Sequence, residues 1–76
     1  MSFGRNPHVA KAEAAEQKAA TAKDASGYER AWRDASRLWD RAAERETDAK
    51  RKAAYAEKAE QARMTADQPA PEAAPN

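Results

Sequence analysis

This chain has no cysteine, so neither a disulfide nor a thiolate metal site can hold its 76 residues together. Isoleucine is also absent, and valine, leucine and phenylalanine occur once each, as Val9, Leu38 and Phe3. These aliphatic and aromatic residues fall far below the roughly 20% that normally supports a folded core. The nominal hydrophobic content of 41% is mostly alanine, which supplies 22 of the 31 residues in that class. No apolar run approaches the ~18 residues a membrane span requires, and no charged lead with an apolar stretch and cleavage pattern opens the chain. A soluble, cytoplasmic protein is therefore expected. His8 is the only histidine, and neither an H-x-x-x-H pair nor a D-x-D-x-D-G loop occurs. No catalytic residue, metal or cofactor is expected.

What the chain does have is alanine, the strongest helix former, mixed with nearly balanced charge. Fourteen lysines and arginines face thirteen aspartates and glutamates, a net charge of +1. A small all-α protein follows, with helices that form readily and pack thinly. After a lead over residues 1–6, Asn6 and Pro7 make a good helix start. Asparagine caps free amides, and proline at the first helical position loses no hydrogen bond. The first helix is predicted over 7–25, with Ala12, Ala15, Ala19, Ala22 and Ser26 forming a narrow seam at three- and four-residue steps.

A tight turn is expected at Asp24 to Gly27, with Ser26 and Glu29 as the S-x-x-E capping box of a second helix over 27–46. This helix carries the clearest pattern in the chain. Tyr28, Ala31, Trp32, Ala35, Leu38, Trp39 and Ala42 fall on one stripe, and Arg30, Arg33, Arg37, Arg41 and Arg45 gather on the other side. Thr47 marks a turn, and a third helix is predicted over 48–66 with Tyr55, Ala59, Ala62 and Ala66 as its apolar row. The rival reading keeps helices two and three continuous, because Tyr28, Ala35, Ala42, Ala49 and Ala56 hold strict seven-residue spacing. That would give a two-helix coiled-coil hairpin. Residues 67–76 hold three of the four prolines and read as a disordered tail.

The charges mostly stand within i,i+3 or i,i+4 reach of an opposite charge, as Glu29 does with Arg33 and Arg30 with Asp34, which suits a solvated face. Over residues 28–46 five arginines meet five carboxylates, and helix three, with Lys50, Arg51 and Lys52, sums to +2. Nucleic acid therefore ranks below protein as a partner. The aromatic stripe has two uses. Most of it must be core, since a large buried side chain contributes about 1.5 to 3 kcal/mol and little else here can. Two tryptophans exceed what so small a core needs, and tryptophan is prominent in binding hot spots. A groove formed by Tyr28, Trp32, Trp39 and Tyr55 is the candidate site for a partner helix or peptide, with Arg33, Arg37 and Arg41 steering association. Self-association through the same stripe is the alternative.

The run SGYERAW at residues 26–32 resembles the turn and second-helix start of tetratricopeptide-like hairpins and of three-helix microtubule interacting and trafficking domains. Gly27, Tyr28, Glu29 and Ala31 carry the resemblance, with Ala19 at the small position between the first two helices and Lys58 and Ala62 near the end of the third. Ala15, Ala22 and Ala35 stand where those families carry bulk. The resemblance implies an antiparallel three-helix, non-enzymatic adaptor whose interhelical groove accepts a partner helix.

Overall fold

The structure, a computed structural model, describes residues 6–69. Three helices make up an all-α bundle: α1 (Pro7–Ala20), α2 (Ala25–Arg45) and α3 (Ala49–Asp67). The continuous-helix alternative is excluded by the break at Glu46 to Asp48.

The first boundary falls where Asn6 and Pro7 predict it. Asn6 is extended, its side chain accepts from the His8 amide at 3.0 Å, and its Nδ2 donates across 36 residues to the Ala42 carbonyl at 2.8 Å. At its other end α1 stops at Ala20, five residues earlier than the alanine spacing suggests. The cause is the cap of the next helix. Asp24, not Ser26, is the N-cap of α2: its backbone is extended, and its carboxylate accepts from the Gly27 amide at 2.7 Å. An extended Asp24 cannot continue α1, so residues 21–24 become the connection. Ser26 and Gly27 instead stand within the first turn of α2, and Ser26 is exposed. Asp and Ser cap about equally well, and the carboxylate adds favourable charge at a helix N-terminus.

The second connection repeats the device. Asp48 is extended and accepts from the Arg51 amide at 2.9 Å, which starts α3. Glu46 supports the turn by accepting from the Asp48 amide at 3.1 Å and from Arg51 Nε at 3.3 Å. The carbonyls at the C-terminal end of α2, which have no helical partner, are taken up by the neighbours. Asn6 binds Ala42, and Lys52 Nζ donates to Ala43 at 3.2 Å.

Helix α2 lies between the other two. It packs on both α1 and α3, whereas no Cα of α1 comes within 8 Å of one in α3 among the described residues. The core is correspondingly thin: Ala12 and Ala15 from α1, Ala35, Trp39 and Ala42 from α2, and Ala59 and Ala62 from α3. Because α2 has a neighbour on each flank, its buried arc is wider than the single stripe read from the sequence. Ser36 and Ala43, which lie beside that stripe, are buried as well.

Candidate functional site

The two tryptophans of α2 share a helix face seven residues apart and have different fates. Trp39 is 1% exposed and is the one large side chain fully enclosed among the described residues. It fills the space that the separated α1 and α3 leave over α2. Its Nε1 donates to Glu16 Oε2 on α1 at 2.7 Å. On the α3 side the Tyr55 ring lies 5.6 Å away, centroid to centroid, tilted by 32°. Lys58 Nζ stands over the indole at 5.1 Å, a cation–π contact. Trp39 thus belongs to the core and offers a partner no surface, a correction to its place among the groove residues. It is tied to both outer helices, through Glu16 on α1 and Tyr55 and Lys58 on α3.

Trp32, two turns toward the start of α2, is only half-buried, as are Tyr28 and Tyr55. Tyr28 and Trp32 meet edge to face, with centroids 6.4 Å apart and planes at 69°. The Trp32 Nε1 is enclosed yet has no hydrogen-bond partner among the described residues. No α1 carboxylate reaches it as Glu16 reaches Trp39, so this ring is held by packing alone. The aromatic stripe is therefore closed at its Trp39 end and partly open at its Tyr28–Trp32 end.

The arginines named with the groove lie on the opposite side of α2. Arg33 donates to Glu29 at 2.9 Å and to Asp67 on α3 at 2.8 Å, and these bonds, Asp67 first, raise its pKa above the usual arginine value. Arg37 pairs with Asp34 at 3.3 Å, so the expected Arg30–Asp34 pair is not the one formed. Arg41 is exposed and has no ion pair among the described residues.

The basic run Lys50–Arg51–Lys52 is largely committed to the second turn. Arg51 pairs with Glu46 at 3.3 Å, which raises its pKa, and Lys52 binds the Ala43 carbonyl. His8 is half-buried in the first turn of α1, with Nδ1 enclosed and unpartnered. Among the described residues no three His, Cys, Asp or Glu side chains converge in a way that could hold a metal ion. No described helix is long and apolar enough to cross a membrane.

Two residues of this site escaped the sequence reading: Glu16, which receives the Trp39 N–H, and Lys58, which covers its ring. A faint signal existed. Glu16 is the only acidic residue within the Ala12–Ala15–Ala19 seam region that lies one step from a buried position on each side of it in helical register.

No protein-family model matches the chain, and no curated protein or solved structure matches it either.

Proposed function

We propose that this protein is a non-enzymatic interaction module that binds an amphipathic helix or peptide of a partner protein at the open end of its aromatic stripe. The observation that carries the reading is the half-buried Tyr28–Trp32 pair, left on α2 where α1 and α3 stand apart. Such a pair presents rigid apolar area at little conformational cost, the property that makes aromatic residues anchors of protein interfaces. The walls of the gap are regular helices. A partner helix laid between them would complete a layer that this chain leaves unfilled, in the helix-in-groove manner. The resemblance of SGYERAW to tetratricopeptide-like and microtubule interacting and trafficking modules agrees with this use.

The test is capture of partners from native cells with the wild-type chain beside Trp32→Ala and Tyr28→Ala, with circular dichroism of each variant. The expected result is a partner retained by wild type and lost from both variants while helicity persists. Sedimentation equilibrium on the same proteins separates the self-association alternative. If the bound species is the chain itself, the oligomer dissociates in the variants and no heterologous partner appears.

A further inference from the structure

Some cations of this protein are ion-paired and others are not. Arg33, Arg51 and Arg63 are bound to carboxylates on or beside α3. Lys11, Lys18, Lys23, Arg30, Arg41 and Arg45 form no ion pair among the described residues, and all six are exposed. Lys50, Lys52 and Lys58 on α3 also form no ion pair among the described residues, Lys52 being bonded to the Ala43 carbonyl and Lys58 standing over Trp39, whereas the six on α1, α2 and their connection border one seam. Lys18, Lys23, Arg30 and Arg37 line one open depression of about 540 Å³ along the outer seam of α1 and α2, floored by Ala22, Gly27 and Ala31. Lys11 is two helical turns before Lys18 on the same face of α1, and that end of α1 lies beside Ala42, where Asn6 is bonded. Arg41 and Arg45 continue from Arg37 at four-residue steps toward the same end.

The carboxylates nearest the seam are Asp34, bonded to Arg37, Asp24, held by the first amides of α2, and Glu44. Seven cations against these three and the bordering Glu29 and Asp40 leave +2 along one seam of a chain whose whole net charge is +1. Glu29 pairs with Arg33 and shares a second depression with Arg30 and Arg37, and Asp40 shares a third with Arg37 and Arg63. On α1, Glu16 is on the flank that faces Trp39, and Glu13, three residues before it, shares that flank.

We infer that this α1–α2 seam binds the phosphate backbone of double-stranded nucleic acid, without reading its sequence. From Arg30 to Arg45 the ridge runs fifteen residues, about 22 Å at 1.5 Å per residue. Charges along one strand of a duplex recur every ~3.4 Å, so about six phosphates fit this length. Four of the seven cations are arginines, whose planar forks match phosphate oxygens. The absence of aromatics selects the duplex. Tyr28, Trp32, Trp39 and Tyr55 all lie on the other side of α2 or on α3, so the seam has no platform on which unpaired bases would stack. The surface is separate from the aromatic groove, and the two sites do not compete.

The experiment is fluorescence anisotropy of a labelled duplex of arbitrary sequence with the full chain, from 25 to 200 mM salt. About six neutralised phosphates predict a slope of log K on log salt near −5, an affinity loss of about a thousandfold between 50 and 200 mM. Arg30→Gln combined with Arg41→Gln lowers affinity at 50 mM by about tenfold for each charge removed and reduces the slope by about 2. Lys50→Gln combined with Arg51→Gln removes the same charge elsewhere and leaves the slope unchanged. Circular dichroism checks that both pairs stay folded. No binding at 25 mM salt overturns the proposal, as does an equal loss in both double variants. Tighter binding of a single strand of the same length overturns the duplex assignment. Binding of polyglutamate or of vesicles containing anionic phospholipid, with none of the duplex, overturns the assignment to nucleic acid.

Discussion

Replacing each tryptophan with phenylalanine separates the two roles read from the structure. In Trp39→Phe the six-membered ring still packs, but the enclosed N–H that reaches Glu16 at 2.7 Å is lost, and the shorter side chain leaves a void between α1 and α3. A hydrogen bond to a charged acceptor is worth about 1.5 to 3 kcal/mol. Glu16 is half-buried and regains some water, so the lower end applies. Trimming a buried side chain in a core that cannot fully collapse adds about 1 kcal/mol. The expected loss is about 2 to 3 kcal/mol. A folded unit of this size has in total roughly 0.05 to 0.15 kcal/mol per residue, a few to ten kcal/mol. Trp39→Ala, at about 3 to 5 kcal/mol, would therefore leave little of the fold. Trp32→Phe has the opposite character. It deletes an N–H that is enclosed without a partner, so it removes a cost along with some contact, and its effect stays within about 0.5 kcal/mol. Urea unfolding followed by far-UV circular dichroism measures both. At about 4 to 8 °C per kcal/mol for a domain this small, the two variants also separate by at least about 6 °C in Tm. Equal losses, or a larger loss for Trp32→Phe, would refute the assignment of Trp39 to the core and Trp32 to the surface.

Asp24→Ala costs about 1 kcal/mol through loss of the α2 cap, whereas Ser26→Ala changes stability by less than about 0.5 kcal/mol; denaturant midpoints of the two variants decide which residue caps the helix. Asn6→Ala removes both the α1 cap and the bond to the Ala42 carbonyl, and about 1 to 2 kcal/mol is expected. Asn6→Asp keeps the acceptor but not the donor, so its stability in the same unfolding assay falls between those of wild type and Asn6→Ala.

The alanine steps on α1 and α3 name their buried positions because a residue with one methyl group can enter a helix interface only at the line of closest approach. Ala12, Ala15 and Ala19, and Ala59, Ala62 and Ala66, are all buried. The boundaries at Asn6 and near Thr47 were legible from cap chemistry. The Ser26 cap was misread since S-x-x-E and D-x-x-G overlap in KDASGYE, and local sequence does not rank two good caps two residues apart. The buried Ser36 and Ala43 depend on α2 having two neighbours, and the Glu16–Trp39 bond joins residues 23 apart, so neither is expressed in any local period. The groove residues were found as a stripe. That one of them would be consumed as core follows only from the distance between α1 and α3.

The links at the C-terminal end of α2 give the bundle a polarity. There Asn6 from α1 and Lys52 from α3 both bind consecutive carbonyls of α2, Ala42 and Ala43. At the other end, around Tyr28 and Trp32, the cross-helix tie found among the described residues is the exposed pair of Arg33 with Asp67, of a kind that water and salt weaken. Opening should therefore begin at that end while the other stays shut, like a clothes-peg with its spring near Ala42. Amides at the C-terminal turns of α1 and α3 exchange with solvent sooner than those beside Trp39, and the Tyr28–Trp32 pair sits in the part of the molecule that can spread.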